Sequence, residues 1–231
     1  AFVVFSHSAN ELSTELSKCA DFRIIWGGED AVNGILALPQ REHCETAIFG
    51  PKYSFAVIDS ESLALSGSKY IRNLGIDLFT FDQSACTSPH VLFIEASEGN
   101  FDIDNFLEQT KEIFSQLSRK YIKQNLDPSL LSKVMEKRSE YYLNPKFNLE
   151  HSINLDWTLL CNNDFQLEQP VGSRTLFIKI VDDIMKIPSL MTSKVQTVGA
   201  IIENETKLKH FSKKLASRGI ARIVPFGQMN F

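Results

Sequence analysis

The 231-residue chain has no apolar run approaching the roughly 20 residues that cross a bilayer, so no transmembrane segment is expected. Its first residues, A-F-V-V-F-S-H-S, lack the basic start and small-residue cleavage site of a secretory leader. Cysteine is scarce: Cys19, Cys44, Cys86 and Cys161 are widely spaced and form no C-x-x-C pair. That pattern excludes a zinc site and a disulfide framework, so no metal is expected and a reducing cytoplasm is the default. Neither sign of charge dominates, with 24 Lys and Arg interleaved among 28 Asp and Glu and a net charge of −4. Nothing here makes the basic field that nucleic acid or an anionic membrane requires. Internal repeats and low-complexity segments are also missing. An initiator Met is lacking too, and both ends lie in strand-like runs, Phe2–Phe5 and R-I-V-P-F-G-Q-M-N-F. Both ends are therefore expected to be cut from a longer protein.

What is present is a core-forming chain, 43% hydrophobic with 17 Phe, enough for one or two domains. Phe2–Phe5, F-R-I-I-W (22 to 26) and E-T-A-I-F-G (45 to 50) read as strands. They are separated by a helix starting at Ser8, with Glu11 at capping-box spacing, and by a helix that Pro39 closes. Further strands are expected at 54 to 59, 90 to 95, 154 to 160, 175 to 181, 195 to 202 and the C-terminal run. Helices are expected at about 60 to 74, 102 to 124, 128 to 142 and 205 to 217. This alternation predicts an α/β fold built from parallel βαβ units.

A few segments can carry chemistry. Gly27-Gly28 stands at a strand-to-helix junction, where free N–H groups and the helix dipole receive a phosphate or the glycines simply make a tight turn. Cys86, in F-D-Q-S-A-C-T-S-P-H, is flanked by small residues that let a carbonyl approach the sulfur; read alone, it is a nucleophile or a buried structural thiol. His43, just before the third strand, is a proton carrier or a surface histidine. The acidic stretch 95 to 105 lacks the alternation of a calcium loop and reads as a solvated turn. The basic helix at 207 to 214 reads as an outer face.

The ordered set I-I-W-G-G-E-D-A-V, A-I-F-G-P-K-Y-S-F-A-V-I-D, F-D-Q-S-A-C-T-S-P, E-Q-P-V-G-S-R, V-Q-T-V-G and G-I-A-R-I-V-P-F-G-Q-M-N spans nearly the whole chain. In that order it resembles the LuxC-type acyl-CoA (fatty acyl) reductases, a branch of the aldehyde dehydrogenase superfamily. The resemblance implies an aldehyde-dehydrogenase-like fold, with the C-terminal part of a Rossmann-like cofactor domain at 1–50 and a catalytic α/β domain at 51–231. It implies that Cys86 accepts the acyl group and that His43 is the histidine needed for activity. Gly27 and Gly28 take the place of the superfamily's cofactor turn, and Gln169 that of the glutamate on the nicotinamide ribose. Phe49 and Gly50 stand in the E-L-G-G-K segment of hydrolytic relatives, whose catalytic Glu is replaced here by Ile48. An apolar side chain cannot activate water, so the acyl-enzyme should survive for hydride or another acceptor.

The implied reaction is NADPH-dependent reduction of a long-chain fatty acyl-CoA or acyl-protein thioester to the aldehyde. Implied partners are acyltransferase and acyl-protein synthetase subunits of a fatty acid reductase complex, with a homo-oligomer for the full-length protein. The superfamily's side-chain oxyanion donor, an Asn, is expected N-terminal to this chain. Two rival expectations are a short-chain CoA-acylating aldehyde dehydrogenase using NAD and a catalytically inert scaffold.

Overall fold

In a computed structural model the structure describes residues 3–6, 8–96, 101–123 and 127–231. Two compact units divide at Lys52/Tyr53. In the first, β1 (Phe22–Trp26) and β2 (Glu45–Phe49) pair in parallel, Phe22 opposite Glu45 and Trp26 opposite Phe49. Helix α1 (Asn10–Cys19) precedes β1, and α2 (Glu29–Leu36) crosses from β1 to β2. Arg23 is buried in this unit, its guanidinium donating to Ser17 Oγ, Gln40 Oε1 and Thr46 Oγ1.

The second unit is a seven-stranded sheet. Its strands are β3 (Tyr53–Ile58), β4 (Pro89–Glu95), β5 (Asn148–His151), β6 (Thr158–Asn162), β7 (Thr175–Val181), β8 (Val195–Ile201) and β9 (Arg222–Val224). Their spatial order is β5-β6-β7-β4-β3-β8-β9, all parallel except the edge strand β5. Alternate residues of the central strands enter two cores, as the period of two demands. Phe55, Val57, Val91, Phe93 and Phe177 face one side, with Val134 and Tyr141 of α5 (Pro128–Leu143) and Phe211 and Leu215 of α6 (Glu205–Ala216). Ala56, Ile58, Leu92, Ile94, Leu176 and Ile178 face the other, against α3 (Ser60–Phe79) and α4 (Ile103–Lys120). Both faces of the sheet are covered, which explains why its strands read as continuous apolar runs.

Three expectations are corrected. Val3–Phe5 form no strand; Val3 and Val4 are exposed, and no described strand offers them a ladder (Phe2 lies outside the described residues). Helix α1 begins at Asn10, because Ser8 is engaged with the Ser6 hydroxyl at 2.8 Å and no side chain caps the helix. The expected strand at 154 to 160 starts only at Thr158, since the Ser152 hydroxyl accepts from Asp156 N and Trp157 N and folds that stretch into a turn. The antiparallel β5 before this turn has no counterpart among the expected elements.

Candidate functional site

Cys86 sits on a turn between α3 and β4, where Ser88 N donates to Ala85 O at 3.0 Å, and its side chain is partly exposed. Four strands hold this turn from below. The buried Ser54 hydroxyl at the start of β3 donates to Cys86 O at 2.8 Å and accepts from Thr197 N of β8 at 3.2 Å. Ser54 marks a register shift in β3 against both neighbours, a bulge that re-aims one side chain. Gln83 is buried beneath the turn, donating to Pro89 O of β4 at 2.8 Å and to Thr175 O of β7 at 2.7 Å.

The backbone here is unusual. Phe81, Asp82 and Gln83 all have positive φ, as do Ser173 and Arg174 on the facing segment. Each non-glycine residue in that region costs on the order of 1 kcal/mol. The two segments hold each other: Arg174 pairs with Asp82, and its guanidinium lies 4.4 Å from the centre of the Phe79 ring. Lys123 donates to the Leu155 and Ser173 carbonyls beside them; burial and the nearby Arg174 lower its pKa to about 8. Left-handed backbone of this kind concentrates at sites where surrounding structure fixes a functional geometry.

Further along β7, the fully buried Lys179 Nζ contacts Asn162 Oδ1 and Glu168 Oε1, both at 2.6 Å, and Asn162 Nδ2 donates to the Tyr141 hydroxyl at 2.6 Å. Burial, with Glu168 and other anions nearby, raises the Tyr141 pKa, so its hydroxyl stays protonated. This network anchors the E-Q-P-V-G segment through Glu168 and leaves Gln169 exposed. Cys161, next to Asn162, has its thiol pushed up to about 12 by burial and is no nucleophile at neutral pH.

In the first unit, Gly27 N continues the ladder to Phe49 O at 3.3 Å, and Gly28 is the N-cap of α2. A Cβ at Gly27 would stand 3.0 Å from Ala31 Cβ, whereas Gly28 and Gly50 open onto free space. That open turn at the C-terminal end of a parallel strand suits close backbone approach by a dinucleotide, although Glu29 and Asp30 in the first helical turn oppose a phosphate there. Phe49 stacks on Trp26 with centroids 5.5 Å apart, and Ile48 is half exposed on the same strand. His43 lies on an exposed turn with φ +66°, its Nε2 3.9 Å from a Glu42 carboxylate oxygen.

Cys86 and Gln169 thus belong to the second unit, and Gly27, Gly28, His43, Phe49 and Gly50 to the first. Sequence reasoning missed Ser54 and Gln83, which hold the Cys86 turn. Gln83 carried a faint signal, a polar side chain three residues before the cysteine. Positions 97 to 100 of the acidic stretch lie outside the described residues. Among the described residues no cluster of His, Cys, Asp and Glu is arranged to hold a metal ion, and no helix is long and apolar enough to cross a membrane.

This fold is that of the aldehyde dehydrogenases. The structure matches a NAD-dependent benzaldehyde dehydrogenase from Corynebacterium glutamicum with a TM-score of 0.71 at 12% identity, covering 99% of this chain and 50% of that one. It matches the NADP complex of an NADP-dependent glyceraldehyde-3-phosphate dehydrogenase from Bacillus halodurans with a TM-score of 0.69 at 15% identity, covering 96% and 48%. The family profile "Acyl-CoA reductase (LuxC)" matches residues 1–231, and the chain belongs to that family. It is 26% identical over 231 residues to the long-chain acyl-protein thioester reductase of Photorhabdus luminescens, covering 99% of this chain and 46% of the relative. It is 25% identical over 228 residues to long-chain acyl-protein thioester reductase 2 of Photobacterium leiognathi, covering 98% and 45%. The chain therefore spans about half the length of the curated relatives it matches.

Proposed function

We propose that this chain carries the catalytic cysteine of an enzyme that reduces a long-chain fatty acyl thioester, carried on CoA or on a protein, to the aldehyde. The observation that carries the reading is Cys86 itself. It is a partly exposed thiol on a turn fixed by Ser54 and Gln83, inside a family match that runs the length of the chain.

In this reading the Cys86 thiolate attacks the acyl carbonyl carbon and the carbonyl oxygen takes the charge. The backbone N–H of Cys86 is the proposed donor to that oxygen. The bond from carbon to the carrier sulfur then breaks, and the carrier leaves as a thiolate that takes up a proton. His43 is the proposed proton carrier. A reduced nicotinamide, when bound, supplies the hydride that takes the acyl carbon to the aldehyde oxidation level. Protonation of the carbonyl oxygen gives a thiohemiacetal on Cys86. Loss of that proton and cleavage of the carbon–sulfur bond release the aldehyde and return the thiolate. Ile48 presents no carboxylate to activate water, which favours reduction over hydrolysis of the acyl-enzyme.

Residues 1–50 are proposed as part of the cofactor domain and residues 51–231 as the catalytic domain. Gly27, Gly28, Phe49 and Gly50 of the first unit and Gln169 of the second are the proposed cofactor residues, with NADPH as the reductant. A cytoplasmic homo-oligomer working with an acyltransferase and an acyl-protein synthetase completes the proposal.

The test is a competition between tetradecanoyl-CoA and acetyl-CoA for the full natural polypeptide, with NADPH and NADH compared. Preference for tetradecanoyl-CoA with NADPH is expected. A strong preference for acetyl-CoA overturns the long-chain assignment.

A further inference from the structure

The C-terminal segment Phe226–Asn230 is held in a prepared seat beside the cysteine turn. Phe226 and Met229 are buried over β8, where a Cβ at Gly199 would come within 2.7 Å of Met229 Sδ and 3.1 Å of Phe226 Cδ1. Gly227 has a φ of +88°, and a Cβ there would press on Asn73 of α3 at 3.3 Å. The fully buried Asp77 carboxylate, also on α3, accepts from Gly227 N at 2.6 Å and Met229 N at 3.1 Å. Burial pushes the Asp77 pKa up to about 6 against these hydrogen bonds and the nearby Arg222 cation, which lower it. A carboxylate this costly to bury is held where two backbone N–H groups need it.

Asn230 is the outcome of that seating. Its Nδ2 donates to Asp77 O at 2.7 Å, which fixes which way the amide points. Its Oδ1 then faces the cysteine turn and accepts from Thr87 Oγ1 at 2.7 Å and Ser88 Oγ at 3.3 Å. Thr87 and Ser88 directly follow Cys86. Only a side chain with a donor at one end and an acceptor at the other makes both sets of bonds. Ser54 ties Cys86 O from the β3 side, so the turn is gripped from both flanks.

We propose that Asn230 is a positioning residue for Cys86, oriented by Asp77 and acting through Thr87 and Ser88 to fix the direction of the thiol. The proposal rests on the reading of Cys86 as the acyl-accepting nucleophile. Its chemical content is the attack geometry, since a displacement on the order of 1 Å at a reacting atom costs about a hundredfold in rate. Neither Asn230 nor Thr87 is assigned contact with the acyl group, so binding and attack should separate.

The test uses the full natural polypeptide and pre-steady-state acylation by tetradecanoyl-CoA, with rates normalised to titratable Cys86 thiol. Asn230→Ala is expected to slow acylation about tenfold or more while KM for the thioester stays within about twofold. Thr87→Val should do the same, and Thr87→Ser, which keeps the hydroxyl, should stay within about threefold of wild type. The double variant Asn230→Ala/Thr87→Val should be no slower than its slower parent, because the two residues act as one unit. If Asn230→Ala does not fold, the contrast between Thr87→Val and Thr87→Ser carries the test. Wild-type acylation per thiol in Asn230→Ala, effects that multiply in the double, or equal rates in the two Thr87 variants would overturn the positioning role. Acylation that persists in Cys86→Ser overturns the nucleophile reading instead, whatever Asn230 does.

Discussion

Gln83 and Thr175 exchange two hydrogen bonds, Nε2 donating to Thr175 O at 2.7 Å and Thr175 N donating to Oε1 at 2.8 Å. A side-chain amide thus takes the part of a strand residue and closes the start of β7 against the cysteine turn.

Replacing Gln83 with Ala removes the side-chain donor from the buried Thr175 O and Pro89 O and leaves Thr175 N with its longer bond to Gly172 O at 3.1 Å. A buried unsatisfied group costs roughly 1–3 kcal/mol. The five left-handed residues on the two facing segments also lose part of what holds them. Gln83→Ala is expected to lower stability by about 3 kcal/mol in urea unfolding and to slow Cys86 acylation. A stability within ~0.5 kcal/mol of wild type would show that the turn holds without it.

Much of the frame could be read in the sequence because its signals are local. Apolar runs such as Ser54–Ile58 and Val91–Ile94 demand buried parallel strands, and Pro128 after Asp127 marks the start of α5. Cys86 stood out through its small neighbours. Its supports did not, because they come from far away: Ser54 lies 32 positions from Cys86, Thr175 lies 92 from Gln83, and Asn230 lies 143 from Thr87. No spacing rule encodes such a meeting. Likewise β5 escaped notice because N-L-E-H is polar, short and on an edge.

Asp77 and His90 make opposed contributions to the pH dependence of stability. Burial raises Asp77 from its ordinary 3.8 to about 6, so its contribution is fully present below about 4 and is lost as pH rises through 6. Burial lowers His90 from 6.5 to about 4, so its contribution is present above 6.5 and is lost as pH falls through 4. Each shift is worth about 3 kcal/mol, and in the wild type they nearly cancel between pH 4 and 6.5. Relative to wild type, the deficit of Asp77→Asn should therefore grow by about 3 kcal/mol from pH 7 to pH 4, and that of His90→Leu should shrink by a similar amount. Chemical unfolding at the two pH values reads both differences; parallel curves for all three proteins would contradict the assignment.

Lys179 is buried with Glu168 and Asn162 on it, so Lys179→Met leaves the mostly buried Glu168 carboxylate without its cation and with only the Gln166 Nε2 donor at 3.0 Å. Removing one partner of a buried pair costs about 3–5 kcal/mol. Thermal melts should show that loss, and because Glu168 anchors the segment bearing Gln169, KM for the nicotinamide should rise. A melt unchanged from wild type would mean that Gln166 and solvent suffice for Glu168.

The cysteines should differ in reactivity. Iodoacetamide at neutral pH is expected to alkylate exposed Cys19 and partly exposed Cys86, while Cys161, buried and with its thiol near 12, reacts only after unfolding. Peptide mass spectrometry gives the order, and early labelling of Cys161 would contradict its burial.

The most direct test of the account is covalent. The full natural polypeptide, incubated with tetradecanoyl-CoA without reductant, should carry the tetradecanoyl group on the peptide containing Cys86, lose it as aldehyde when NADPH is added, and carry none in Cys86→Ser. A tetradecanoyl adduct undiminished in Cys86→Ser, or found on Cys19, Cys44 or Cys161 instead, would contradict it.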